Sequence, residues 1–365
     1  MPGEPVPAGQ QNEVRVDIGE GLQMAALAWG DPASASRVLC VHGWMDNAGS
    51  FGSGACAAHH ADEAAAADGL GSRLARGLGA FVVACDLLGH GRSSHQPGGL
   101  YSNSGWMMQL LKFTDQLGWG DRPFALVGHS MGQEICTMLA AAFPERVNAV
   151  VMLDGIGPWV SDEAWARRAV DQPAAALRNN AKMWLRRDRY HGSPRTFSSF
   201  EQVLGARLQQ KFSFAGISRH AAAAITRRGT REDIDMSSGD VSCVYTHDPR
   251  VQMPAPMPAG YTEKQACQLI SKLPRTLAVM AAAGIGAGGS GGESEGGDES
   301  DTAVRRFLIN RTPHFKHQLE VAWVPGGHHV HLDKPEPVAS HVVSFLRRVL
   351  ADSSDQTTQL CRAKL

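Results

Sequence analysis

The stretch Phe124-Ala-Leu-Val-Gly-His-Ser-Met-Gly-Gln-Glu-Ile135 constrains this chain most. Phe124 to Val127 is a short apolar run, as a buried strand requires. Gly128-His129-Ser130-Met131-Gly132 fits G-x-S-x-G, and a helical stretch follows over Glu134 to Ala142, stopped by Pro144. Strand, sharp turn and helix around that motif make a nucleophile elbow. The serine is held in strained backbone at the top of a sheet. The two glycines lack the Cβ atoms that would clash where strand and helix crowd together.

The flanking pattern matches. Val38 to Val41, Phe81 to Cys85, Val147 to Leu153, Leu277 to Met280 and Leu319 to Val324 read as further strands, and helical stretches separate several of them. Residues 13–29 alternate and then become apolar, as an antiparallel edge pair does. Helices are predicted over Ser72 to Leu78, Ser104 to Leu117 and His341 to Leu350, with a short helix or turn over Phe307 to Lys316. Strands alternating with helices predict an α/β fold with a mostly parallel central sheet and helices on both faces. Residues 158–274 break the rhythm and read as a mostly helical, basic cap inserted between core segments 13–157 and 275–350. Residues 1–12, 284–302 and 351–365 read as disordered. Of these, 284–302 is almost wholly Gly, Ser, Glu and Asp, which cannot bury a core. Gly54 to Gly71 reads as an Ala-rich low-complexity expansion.

Composition narrows the function classes. A formal net charge of −1 gives no global attraction to nucleic acid. No apolar run of about eighteen residues predicts a membrane span. Met1 to Asn12 lacks the apolar region of a secretory signal. Seven scattered cysteines form no C-x-x-C pair and read as reduced intracellular thiols.

A serine hydroxyl needs a base, and the base needs an orienting acid. His328 follows the last strand in Pro325-Gly-Gly-His-His-Val-His331 and is the chosen base, with His329 and His331 as competitors. The histidine trio lacks a Cys or carboxylate partner in its spacing, so no metal site is predicted. The usual late acid position is interrupted by Ala281-Ala-Ala-Gly-Ile-Gly286. Asp154, at the end of the strand after the elbow helix, is therefore preferred, with Asp298 or Asp301 next. Backbone N–H groups of Trp44 and Met131 are the expected oxyanion donors. Asp86 reads as structural, its carboxylate holding the His42-Gly43 turn.

Leu39-Cys-Val-His-Gly-Trp-Met-Asp-Asn-Ala-Gly-Ser-Phe51, Asp86-Leu-Leu-Gly-His-Gly-Arg-Ser-Ser-His95, Leu126 to Gly132, Phe143-Pro-Glu-Arg-Val147, Arg228-Gly-Thr230 and Val324 to His331 occur in this order. Together they resemble α/β-hydrolase-fold serine hydrolases, and within them the serine hydrolase-like proteins. The resemblance implies a cofactor-free, metal-free hydrolase with a helical cap, Ser130 as nucleophile and His328 as base. It supplies no substrate. The chain departs from the pattern at Gln133, where such elbows carry a small residue, and in its two low-complexity insertions. The expected reaction is hydrolysis of an ester or thioester of a small-molecule acyl substrate. Acyl transfer, carbon–carbon bond hydrolysis, or a non-enzymatic binding protein with a degenerate site are the alternatives. Ala363-Lys364-Leu365 is a variant of the Ser-Lys-Leu address, so the import receptor is an expected partner and the peroxisomal matrix the expected location, with the cytoplasm as alternative.

Overall fold

The computed structural model describes residues 11–52, 68–160, 171–188, 195–209, 216–234, 236–237, 239–252, 261–284, 308–316 and 319–362. The core is an eight-stranded sheet. Its strands are β1 (Asn12–Asp17), β2 (Gln23–Trp29), β3 (Arg37–Val41), β4 (Phe81–Cys85), β5 (Phe124–His129), β6 (Val147–Leu153), β10 (Arg275–Ala283) and β11 (Leu319–Gly327), in the order β1-β2-β4-β3-β5-β6-β10-β11. β1 and β2 pair antiparallel at one edge, and β2 meets β4 antiparallel. Every pairing from β4 to β11 is parallel.

Alternation along the central strands explains both layers. Leu39, Val41, Val83, Cys85, Leu126, Val150 and Met152 face one side. They pack there with Trp106, Leu110 and Phe113 of α2 (Asn103–Gln116) and Ile135 and Leu139 of α3 (Met131–Ala142). Val38, Cys40, Val82, Ala84, Ala125, Val127, Val151 and Leu153 face the other. They pack with Leu70 and Leu74 of α1 (Leu70–Leu78) and Val338, Val342, Phe345 and Leu346 of the C-terminal helix. Both faces are covered, so these strands read as unbroken apolar runs.

The segment expected to be a mostly helical cap holds α4 (Pro173–Asp188), α5 (Phe200–Leu208), α6 (Arg219–Arg228) and α7 (Glu263–Ile270). It also holds a three-stranded antiparallel sheet ordered β7-β9-β8, from β7 (Thr196–Phe197), β8 (Thr230–Ile234) and β9 (Val241–Tyr245). The strands are short and polar on one face, which hid them among the alanines and arginines. Two arginines of this segment are buried against the core. Arg228 pairs with Asp86 at 2.8 Å and with Glu13 at 2.8 Å, and Arg207 pairs with Asp46.

Beyond β11 come α8 (Val330–Asp333) and α9 (Pro335–Arg362). The helix α9 runs past Leu350, where disorder was expected. No Gly or Pro lies between Val338 and Arg362 to stop it, and polarity alone does not end a helix. Of the Ala-rich stretch Gly54 to Gly71, residues 54–67 lie outside the described residues, while Leu70 and Gly71 already belong to α1; most of the segment 284–302, and Ala363, Lys364 and Leu365, also lie outside them. No helix among the described residues is long and apolar enough to cross a membrane.

Candidate active site

The parallel strands end at one edge of the sheet, and the predicted site residues gather there. Ser130 follows β5 and caps α3 with φ 50° and ψ −120°. This is a strained, left-handed conformation for a residue with a Cβ. The strain is locked in by the tightness of the turn. Ser130 N–H donates to the Leu153 carbonyl at 3.2 Å, and Gln133 N–H donates to the Ser130 carbonyl at 3.0 Å. A Cβ on Gly132 would strike the Val41 carbonyl oxygen, and one on Gly128 would lie 2.5 Å from Gln133 Cα. Both glycines are therefore obligatory for the elbow.

Gln133, larger than the residue such elbows carry, is accommodated by partners of its own. It is buried, its Oε1 accepts the Gly157 N–H at 2.9 Å, and its Nε2 donates to the Gly157 carbonyl at 2.7 Å. The side chain thus ties the elbow helix to the loop leaving β6. The partner is remote in sequence, so nothing local announced it.

Asp154 follows β6 and is fully buried, with φ 49°. Its N–H donates to Val279 at 2.9 Å, and its Oδ1 accepts the Ala281 N–H at 3.2 Å. Its Oδ2 lies 2.6 Å from His328 Nδ1. Because a carboxylate accepts, Nδ1 carries the hydrogen and the neutral ring keeps a lone pair at Nε2. Burial pushes the His328 imidazole down to about 4, and His129 adds to the effect, while Asp154 opposes it. The ring is therefore neutral at physiological pH.

The competing positions face elsewhere. His329 Nε2 is 3.2 Å from Asp46 Oδ2. His331 is fully buried with its ring centroid 5.4 Å from Phe51 and 4.2 Å from His129. Asp298 and Asp301 lie outside the described residues.

Trp44 sits in the loop after β3, beside β5 in the sheet, and Met131 is the first residue of α3. A turn from the Gly43 carbonyl to the Asp46 N–H at 3.2 Å shapes that loop, with Met45 at φ 60°. His42 anchors it by donating from Nδ1 to the Gly43 carbonyl at 2.7 Å and accepting the Leu87 N–H at Nε2, 3.1 Å away. Asp86, expected to brace the same turn, instead accepts from Ala48 N–H at 2.7 Å and Arg92 N–H at 2.8 Å and pairs with Arg228. Its neighbour Leu87 makes the contact to His42. Trp44, in the loop after β3, and Trp159, in the segment after β6, are exposed, at 40% and 64%. The cluster of Asp46, His129, His329 and Arg207 was missed from sequence because its members come from three separate loops or strand ends and a cap helix.

Comparison with known proteins agrees with this architecture. Residues 36–207 match the α/β hydrolase fold family. The chain is 25% identical over 338 residues to a serine hydrolase-like protein of Dictyostelium discoideum, covering 92% of this chain and 81% of the relative. It is 27% identical over 348 residues to serine hydrolase-like protein 2 of Homo sapiens, covering 93% and 95%. The crystal structure of a hypothetical protein from Pseudomonas aeruginosa PAO1 superposes with a TM-score of 0.66 at 27% identity, covering 93% of this chain and 99% of that one. These similarities support a hydrolase.

Proposed function

Because this chain is an α/β-hydrolase-fold protein similar over most of its length to the serine hydrolase-like proteins, we propose that it hydrolyses esters or thioesters of a small acyl substrate through Ser130, His328 and Asp154. The observation that carries the reading is the buried 2.6 Å contact between His328 and Asp154 at the same sheet edge as the strained Ser130.

Asp154 fixes the His328 tautomer, so Nε2 is free to take the Ser130 proton. The Ser130 Oγ adds to the acyl carbon, and its proton passes to His328. The Trp44 and Met131 N–H groups hold the oxyanion that forms on the carbonyl oxygen. Collapse expels the alcohol or thiol, which receives the proton from His328, and leaves an acyl group on Ser130. Water, deprotonated by the same imidazole, then releases the acid. The neutral state of His328 at pH 7 supports its part as base, and Asp154 stabilises the imidazolium formed on the way.

The test is labelling by a fluorophosphonate probe, together with turnover of a panel of p-nitrophenyl esters and acyl-CoA thioesters. Ser130→Ala is expected to lose labelling and to fall by about 10⁴-fold or more in turnover, with its circular dichroism unchanged. Undiminished hydrolysis in that variant removes the proposal.

A further inference from the structure

Beside the Asp154–His328 contact lies a second cluster that the proposed reaction leaves unused. Asp46, His129 and His329 are all buried, and their potential ligand atoms lie within 4.8 Å of one another. Asp46 Oδ2 is 3.2 Å from His329 Nε2 and 3.5 Å from His129 Nδ1. The tautomer of His129 decides what that second distance means. His129 Nε2 is 3.0 Å from the His328 carbonyl oxygen, which only accepts, so Nε2 carries the hydrogen. In the neutral ring, Nδ1 is then a bare lone pair. It is buried and has no hydrogen-bond partner among the described residues. It faces a carboxylate. Arg207 pairs with Asp46 Oδ1, so the other carboxylate oxygen, Oδ2, is the one turned to the two histidines. A lone pair facing a carboxylate oxygen in a dry interior is stable only with a positive centre between them, either a proton on Nδ1 or a bound cation.

We propose that Asp46, His129 and His329 form a binding site for a divalent transition-metal ion of the zinc type. Two imidazole nitrogens and a carboxylate oxygen are donors that zinc accepts. Tetrahedral zinc with bonds of about 2.0–2.1 Å places neighbouring ligand atoms about 3.3–3.4 Å apart. The two separations from Asp46 Oδ2, 3.2 and 3.5 Å, bracket that edge, and the two imidazole nitrogens lie within 4.8 Å of each other. The outer contacts also fit. His129 donates its other ring N–H to the His328 carbonyl, and Arg207 binds Asp46 Oδ1, leaving Oδ2 for the ion. A Cβ at Gly43 would lie 2.9 Å from His129 Nδ1 and 3.3 Å from Asp46 Oδ2, so glycine there leaves the ligand atoms uncovered.

The site has a consequence for turnover that rests on the function proposed above. The His129 and His328 ring centroids are 4.5 Å apart. An ion on His129 Nδ1 places positive charge beside the imidazole that must become imidazolium during acylation. Zinc therefore inhibits. Metal binding itself does not depend on that reading.

Full-length protein stripped with EDTA is titrated with Co²⁺, and zinc displacement, thermal unfolding and p-nitrophenyl ester hydrolysis are followed in parallel. One equivalent of Co²⁺ is expected to give the intense visible bands of four-coordinate cobalt, and Zn²⁺ to displace it, raise Tm and lower the rate. His329→Gln is expected to weaken Co²⁺ binding and zinc inhibition by at least about tenfold, inhibition being expressed against each variant's own zinc-free rate. His341→Gln, on the exposed face of α9, is expected to bind as the wild type does. Zinc X-ray absorption of the wild type reads the ligand set without any variant, two imidazoles with oxygen being expected. A shell of oxygen alone, absence of four-coordinate cobalt bands, or wild-type metal response in His329→Gln overturns the site. If no ester or thioester is turned over at all, the proposed function fails, while the cobalt spectrum still decides the metal site.

Discussion

Acidification from pH 6.5 to 4.5 is expected to destabilise this protein steeply, well above the range in which carboxylate pairs fail. Burial pushes the imidazoles of His42, His90 and His331 down, and those of His247 and His328 to about 4. For such a group the unfolded chain binds a proton first, near the ordinary histidine value of 6.5. Stability is therefore fully present above that value and falls as the pH drops towards the folded one. For His247 and His328 the loss by pH 4.5 is about 2–3 kcal/mol each. One group works in the opposite direction. Burial raises the Glu134 carboxyl to about 7, so the folded state takes up its proton first and gains a comparable amount over the same interval. These three leave a net loss of about 2–3 kcal/mol, and His42, His90 and His331 add to it. Asp46 and Asp248 are held low against burial, by His329 and Arg207 and by Arg250 and Tyr101 respectively, so their contributions are lost only below this window. Against a urea slope of about 3 kcal/mol/M, the midpoint falls by about 1 M or more between pH 6.5 and 4.5. Urea titrations followed by tryptophan fluorescence at half-unit pH steps measure it. His331→Phe, which removes one proton site beside Phe51, is expected to flatten the dependence. A midpoint that holds steady or rises on acidification to pH 4.5 refutes the reasoning.

Asp154→Asn is expected to lower kcat/KM by roughly 10²- to 10⁴-fold with the fold retained, because the amide no longer fixes the imidazole; a variant at wild-type rate, paired with an inactive deletion of residues 286–300, moves the acid into that segment. Gln133→Leu is expected to cost about 1–3 kcal/mol by leaving the Gly157 N–H and carbonyl without their partner, and an unchanged Tm contradicts the clasp. A fluorescent protein fused ahead of residues 351–365 is expected to collect in peroxisomes and to turn diffuse when Ala363, Lys364 and Leu365 are removed. A diffuse signal from both forms discards that address.

Local pattern alone determined the strands of the central sheet, the elbow and the sheet edge at which chemistry sits, though not the three short strands of the inserted segment. Buried parallel strands must be apolar on both faces, and a serine between two glycines, after a strand and before a helix, has few other backbone solutions. The tertiary structure decided what depends on groups remote in the chain. It put the Asp154 carboxylate, rather than any other described acid, at His328 Nδ1, a contact spanning 174 positions. It turned Gln133 from an apparent misfit into a clasp on Gly157. It also showed that the histidines after β11 do have a carboxylate partner in Asp46, 283 residues from His329. Sequence spacing carries the period of a helix or strand because those are set by the backbone within a few residues. Pairings of charge and lone pair across loops are set by where strands end in the sheet, and strand order is a property of the folded chain.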